Sequence, residues 1–92
     1  MKLSWDEAKR RATLEERGLD FASAGEMFGL NEYIIEDLRN DYGERRFVSL
    51  GFINKRLSVV AWTPRRAGRH IISMRKANDR EQKHYKVWVE SR

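Results

Sequence analysis

Apolar positions change their period twice along this chain. Near its start they are sparse, with Trp5, Ala8 and Ala12 marking a thin helical stripe. Ser4 and Glu7 stand at the spacing of a capping box, which predicts a first helix from Trp5 to about Arg17, stopped by Gly18 and lying on the surface. Asp20 then caps a short second helix, in which Phe21, Ala24 and Phe28 recur at i, i+3 and i+7 before Gly29. That spacing belongs to a core.

From Tyr33 onward the period shortens. Tyr33-Ile34-Ile35 is a brief β-type run, followed by the polar turn segment Asn40-Asp41-Tyr42-Gly43. Between Arg46 and Phe52 the even positions Val48, Leu50 and Phe52 are apolar and the odd ones mixed, which predicts a strand with one buried face. A tight turn at Asn54-Lys55-Arg56 leads to a strand over Leu57–Thr63, and a longer loop, Pro64–Gly68, leads to a third over Arg69–Arg75. Ile71 and Ile72 make that third strand apolar on both sides, as an interior strand requires. Asn78 and Glu81 repeat the capping-box spacing and open a last helix, Asp79 to about Val89, with Tyr85, Trp88 and Val89 at i, i+3 and i+4. The order predicts an α+β fold: a twisted antiparallel sheet of about four strands, with two N-terminal helices and one C-terminal helix. Helices would cover one face and leave the other open or covered by a partner.

Ninety-two residues fit one domain, 1–92, with no room for a second core. Without cysteine there are no disulfides, thiolate zinc sites or thiol nucleophiles. No apolar stretch approaches membrane-spanning length, nor do the first twenty residues hold a signal-type block, so the expected location is the cytoplasm, with no membrane partner. Charge is unevenly placed. Residues 1–44 hold six Lys/Arg and eleven Asp/Glu, a net of −5, and residues 45–92 hold thirteen and three, a net of +10. A basic half of this kind suggests a polyanionic partner, although a charge-rich surface also serves solubility alone.

Chemistry narrows by elimination. His70 and His84 lie fourteen residues apart on different predicted elements, without a carboxylate at ligand spacing, so neither a metal nor a cofactor is expected. Serines lack a nucleophile-elbow context, and the six glycines are scattered rather than gathered in a phosphate loop. What remains is cationic chemistry on a phosphodiester. The apolar Ile71-Ile72 runs straight into Arg75-Lys76, and a helix N-terminus follows at once, so cations meet at a place suited to an anion. Metal-free RNA cleavage needs positive charge for the pentacoordinate phosphorus and groups that move protons. Arg46, Arg75 and Lys76 can supply the first, and His70, Tyr85 or Glu81 the second. Lys9, Arg65, Arg66, Arg69 and Arg80 are candidate RNA-backbone contacts, and Trp62 could stack a base or simply pack. As strand neighbours, Arg75 and Lys76 point to opposite faces; Tyr85 also fits the apolar stripe of its helix, and Arg46 could merely pair with Glu44.

These residues resemble a family. Trp5-Asp6-Glu7-Ala8-Lys9, Phe21 and Phe28, Asp41-Tyr42-Gly43-Glu44 with Arg46-Phe47, and Ile71-Ile72-Ser73-x-Arg75-Lys76-Ala77 with Arg80-Glu81 and Tyr85 follow the order seen in BrnT toxins, which are similar in fold to RelE ribonucleases. The resemblance covers nearly the whole chain. It implies an RNA-cleaving toxin that blocks translation and arrests growth. It also implies neutralisation by a BrnA-like ribbon-helix-helix antitoxin, which alone carries the complex to operator DNA. Its matching polar positions are Lys9, Arg46, Arg75, Lys76 and Tyr85. The chain departs from the family at Glu16-Arg17-Gly18, where Lys-His-Gly is usual, and at Arg10 and Thr13, where asparagines are usual. If that histidine relays a proton in relatives, its role here is vacant or filled by another group. Two other readings compete: a non-catalytic basic module that binds RNA or the ribosome, and a domain whose cations only dock an acidic protein.

Overall fold

The computed structural model describes residues 1–29 and 31–92. Five strands and three helices follow in the order β1 (Lys2–Trp5), α1 (Glu7–Arg17), a 3-10 helix (Phe21–Met27), β2 (Tyr33–Glu36), β3 (Phe47–Ile53), β4 (Arg56–Arg65), β5 (Gly68–Lys76) and α2 (Asp79–Glu90). The sheet order is β1-β5-β4-β3-β2, antiparallel except for the parallel pair β1–β5. The fold is therefore α+β, with a mixed sheet of five strands rather than an antiparallel sheet of four.

The first four-residue strand replaces the expected start of the first helix. Lys2–Trp5 pair with Gly68–Ile71, and α1 begins two residues later than predicted, capped by Asp6 through its bond to the Lys9 amide. Ser4 and Glu7 make no capping box. Ser4 Oγ lies 2.9 Å from His70 Nδ1, and Glu7 accepts from Trp5 and from Arg10 and Arg11. No residue of α1 is buried, as its thin stripe predicts. Asp20 does cap the second helix, but that helix is 3-10, so Phe21, Ala24 and Met27 share its buried side and Phe28 lies past its end. Three residues per turn bring i, i+3 and i+6 into line.

Both faces of the sheet are covered, contrary to the one-sided expectation. On one face Val60, Trp62, Ile71, Met74 and Ile53 pack with Leu19, Phe21, Ala24 and Met27. On the other Leu50, Leu57 and Val59 pack with Ala77 and Tyr85, flanked by Tyr33, Val48 and Trp88. Alternation along β3 and β4 therefore carries two apolar sets, and the odd positions of β3 are as buried as the even ones. Phe52, expected inside, is 53% exposed, and Val89 stands at the solvent edge of α2.

Turn chemistry explains the meander. Asn54 and Lys55 both have positive φ, 47° and 66°, the pattern of a two-residue type I′ hairpin. The predicted loop at Pro64–Gly68 is shorter than expected, because β4 continues to Arg65 and only Arg66 and Ala67 turn the chain. A Cβ at Gly68 would lie 1.7 Å from the Lys2 carbonyl oxygen, so only glycine lets β1 approach the hairpin. The capping box at Asn78 and Glu81 forms as predicted. Among the described residues no helix is long and apolar enough to cross a membrane.

Candidate active site

The face that carries α2 is only partly covered by it. Odd positions of β4 belong to this face, since Leu57 and Val59 pack with Tyr85. Register then assigns their partners: Val59 opposes Arg75, Ala61 opposes Ser73, and Thr63 opposes His70. A bulge near Ala61 and Trp62 leaves Ile72 without a partner and keeps both Ser73 and His70 on this side. Arg46 precedes Phe47, which packs on the other face, so alternation turns Arg46 to the same side as Arg75. Small or polar residues floor the patch: Ala61 is half-buried, and Ser73 and Ser4 are exposed. Arg46, Arg75 and His70 thus share one open surface.

Arg75 is the best-anchored of these cations. Its guanidinium donates to both carboxylate oxygens of Glu81, at 2.8 and 2.7 Å. Glu81 also accepts from the Asn78 amide at 2.9 Å, so the helix cap and the strand cation hold one another. These bonds from Arg75 keep the Glu81 carboxyl below its usual range, with the Asn78 amide adding to the effect, and they raise the guanidinium in turn. Glu81 is accordingly an ionised anchor near neutrality rather than a ready proton carrier.

Arg46 is held differently. Its guanidinium lies 3.9 Å from the centre of the Tyr42 ring, and its Nε is 3.6 Å from a Glu44 oxygen, beyond hydrogen-bond reach. Nε is buried without a hydrogen-bond partner among the described residues. The side chain is ordered by stacking while its donors stay unspent.

A third guanidinium enters from the β2–β3 loop. Arg39 donates twice to Asp37, at 2.9 Å each, and Tyr42 Oη also donates to Asp37, at 3.2 Å. The Arg39 bonds hold the Asp37 carboxyl well below the usual carboxylate range. Arg39 is close enough for its charge to oppose protonation of Arg75, so the two cations share a neighbourhood. The sequence reading missed Arg39; its only local signal is the Asp37-x-Arg39 spacing within a polar loop.

Other expected residues lie elsewhere. Tyr85 is 5% exposed, inside the second core, and its hydroxyl donates to the Asn31 carbonyl at 2.5 Å. Burial raises its phenol above the ordinary value. Lys76 lines a groove on the far flank of α2, with Leu57, Lys83 and Lys86. Arg69 is consumed internally: it bonds Glu32 at 2.5 Å and lies between the rings of Phe28 and Trp62 at 4.2 and 3.8 Å. Glu32 in turn accepts from Ser49, which accepts from Trp62, so Trp62 is a core residue rather than a stacking platform. Arg65 bonds Glu44 at 3.3 Å, while Arg66 and Arg80 are exposed. Lys9 is exposed on α1, across the sheet. Arg17, at the departure from the family pattern, donates to the Met74 carbonyl at 2.9 Å, just past the end of the β1–β5 pairing.

Such an arrangement can bind a phosphodiester and meet added negative charge on phosphorus. His70, held through Nδ1 by Ser4, is the imidazole beside it that can carry a proton. Among the described residues no three His, Asp or Glu side chains gather as a metal-ligand set. No curated protein matches the chain. A family model described as "Ribonuclease toxin, BrnT, of type II toxin-antitoxin system" matches residues 5–81, most of its length and every element from Trp5 to the first turn of α2. Membership implies an RNA substrate and an antitoxin partner. The chain belongs to the BrnT family of ribonuclease toxins of type II toxin–antitoxin systems.

Proposed function

We propose that residues 1–92 form a single toxin domain, a metal-independent endoribonuclease of the cytoplasm that stops translation. A BrnA-like ribbon-helix-helix antitoxin neutralises it, and the complex meets operator DNA only through that antitoxin. The observation that carries the nuclease reading is the sharing of one open sheet face by Arg46, Arg75 and His70.

The RNA backbone crosses the patch floored by Ala61 and Ser73. The terminal nitrogens of Arg46, whose guanidinium is stacked on Tyr42, take a non-bridging phosphate oxygen, and Arg75, held in place by Glu81, meets the charge that builds on the phosphorane. The ribose 2′-oxygen attacks phosphorus, the bond from phosphorus to the 5′-oxygen breaks, and the products are a 2′,3′-cyclic phosphate and a 5′-hydroxyl. His70 takes the 2′-hydroxyl proton, and the departing 5′-oxygen receives a proton from the imidazolium or from water. Arg66 and Arg80, exposed and basic, extend the phosphate track, with Arg65 further out.

Incubating the purified chain with RNA in EDTA tests this. Retained cleavage with 2′,3′-cyclic phosphate ends is expected, and strict dependence on added metal overturns it. R75A should lower single-turnover cleavage about 100- to 1000-fold while RNA still binds. The competing reading, a non-catalytic RNA- or ribosome-binding module, draws on Arg17 standing where relatives have histidine. It requires R75A to weaken binding and biological effect in step, with a steep dependence on salt.

A further inference from the structure

On the flank of α2 away from Arg75 lies a groove of about 790 Å³. One wall is a single face of α2, from Asp79 through Lys83 and Lys86 to Val89 and Glu90. The β3–β4 hairpin forms the other, through Phe52, Lys55, Arg56 and Leu57. Twelve residues of helix make it about 18 Å long. We propose that this groove is the docking site for a short, acidic, amphipathic segment of the antitoxin, a role resting on the toxin reading above.

Two features identify the occupant. Lys55, Arg56, Lys76, Lys83 and Lys86 line the groove, and none makes a salt bridge among the described residues. By contrast, Arg46 and Arg75 on the open face, and Arg39 in the β2–β3 loop, each stand beside a carboxylate. Unanswered positive charge in the groove calls for a partner that brings acids. Between the cations the surface is apolar: Phe52 is 53% exposed and Val89 36%, beside Leu57. Phosphates cannot use such a floor, whereas leucine- or valine-type side chains at helical spacing can. Asp79 stands at one end of the groove and Glu90 at the other. A continuous polyanion would have to pass both carboxylates; a segment of three helical turns stops between them. The observations favour protein over RNA.

The test uses the full chain and two partners. One is its co-expressed antitoxin. The other is a fluorescent eighteen-residue peptide with leucines at i, i+3, i+4 and i+7 and glutamates elsewhere. Reversing charge in K83E/K86E should weaken both interactions at least tenfold and leave RNA cleavage within twofold of the parent. F52S should weaken both by a similar factor, which separates apolar anchoring from charge alone. R75A should leave both intact. Antitoxin binding that survives both groove variants overturns the proposal. So does displacement of the peptide by oligouridylate, or loss of RNA binding in K83E/K86E, either of which assigns the groove to nucleic acid. Should the chain cut no RNA while the groove variants still lose the antitoxin, the nuclease reading fails and this one stands.

Discussion

Arg75 and Glu81 join the end of β5 to the first turn of α2 through two parallel hydrogen bonds, at 2.8 and 2.7 Å. The same carboxylate closes the capping box with Asn78, so one side chain sets both where the helix starts and where the cation stands. Helix start and cation position are coupled at that residue.

Replacing Glu81 with glutamine keeps a side chain able to cap and removes its charge. Partial exposure of the pair limits the loss to roughly 0.5–1 kcal/mol at neutral pH. Because folding lowers the Glu81 pKa, its contribution is present above the unfolded value near 4.5 and disappears as pH falls through the folded one. Urea unfolding should therefore separate E81Q from the parent at pH 7 and superimpose them near pH 3. A gap of equal size at both pH values would sink this account.

Arg69 tests the buried network. R69A leaves the buried Glu32 without its main counter-charge and should cost about 3 kcal/mol. R69A/E32Q should recover part of that loss. Thermal unfolding of the two variants is the measurement. An R69A variant with unaltered stability and weakened RNA binding would return Arg69 to the nucleic-acid surface.

Tyr85 should be structural. Y85F removes the bond to the Asn31 carbonyl but keeps the ring against Phe52 and Trp88, a loss of about 1 kcal/mol. RNA cleavage per folded molecule should not change. A hundredfold drop in rate at intact stability would instead make the phenol part of the chemistry.

Lys55 holds a left-handed conformation that suits glycine. K55G creates the Asn-Gly pair favoured by type I′ turns and should raise stability by about 0.5–1 kcal/mol, read as a higher urea midpoint with unchanged slope.

Local signals were legible where both partners lie close in sequence. The Asn78–Glu81 cap, the Asp20 cap, the Asn54-Lys55 turn and the β3–β4–β5 meander depend on neighbours or on hairpins. β1 was hidden because Leu3 and Trp5 are too few to show a period, and because Ser4 and Glu7 imitate a cap. Its partner, Gly68–Ile71, is more than sixty residues away. Arg69 likewise looked free, since Glu32 stands thirty-seven residues before it. Within the site, Arg46, Arg75 and His70 could be proposed from charge and strand position, but their common face depends on the register across β4 and on the bulge at Ile72. Arg39 came from a loop whose path no pattern reports.

The parallel pairing of β1 also sets an order of events during synthesis. Lys2–Trp5 leaves the ribosome early and finds no strand to join until Ile71 has emerged. Three-quarters of the nascent chain must be made before the sheet can close, so this slow, long-range contact falls late in folding. A chain still short of β5 therefore has neither a closed sheet nor His70 and Arg75, which that strand carries.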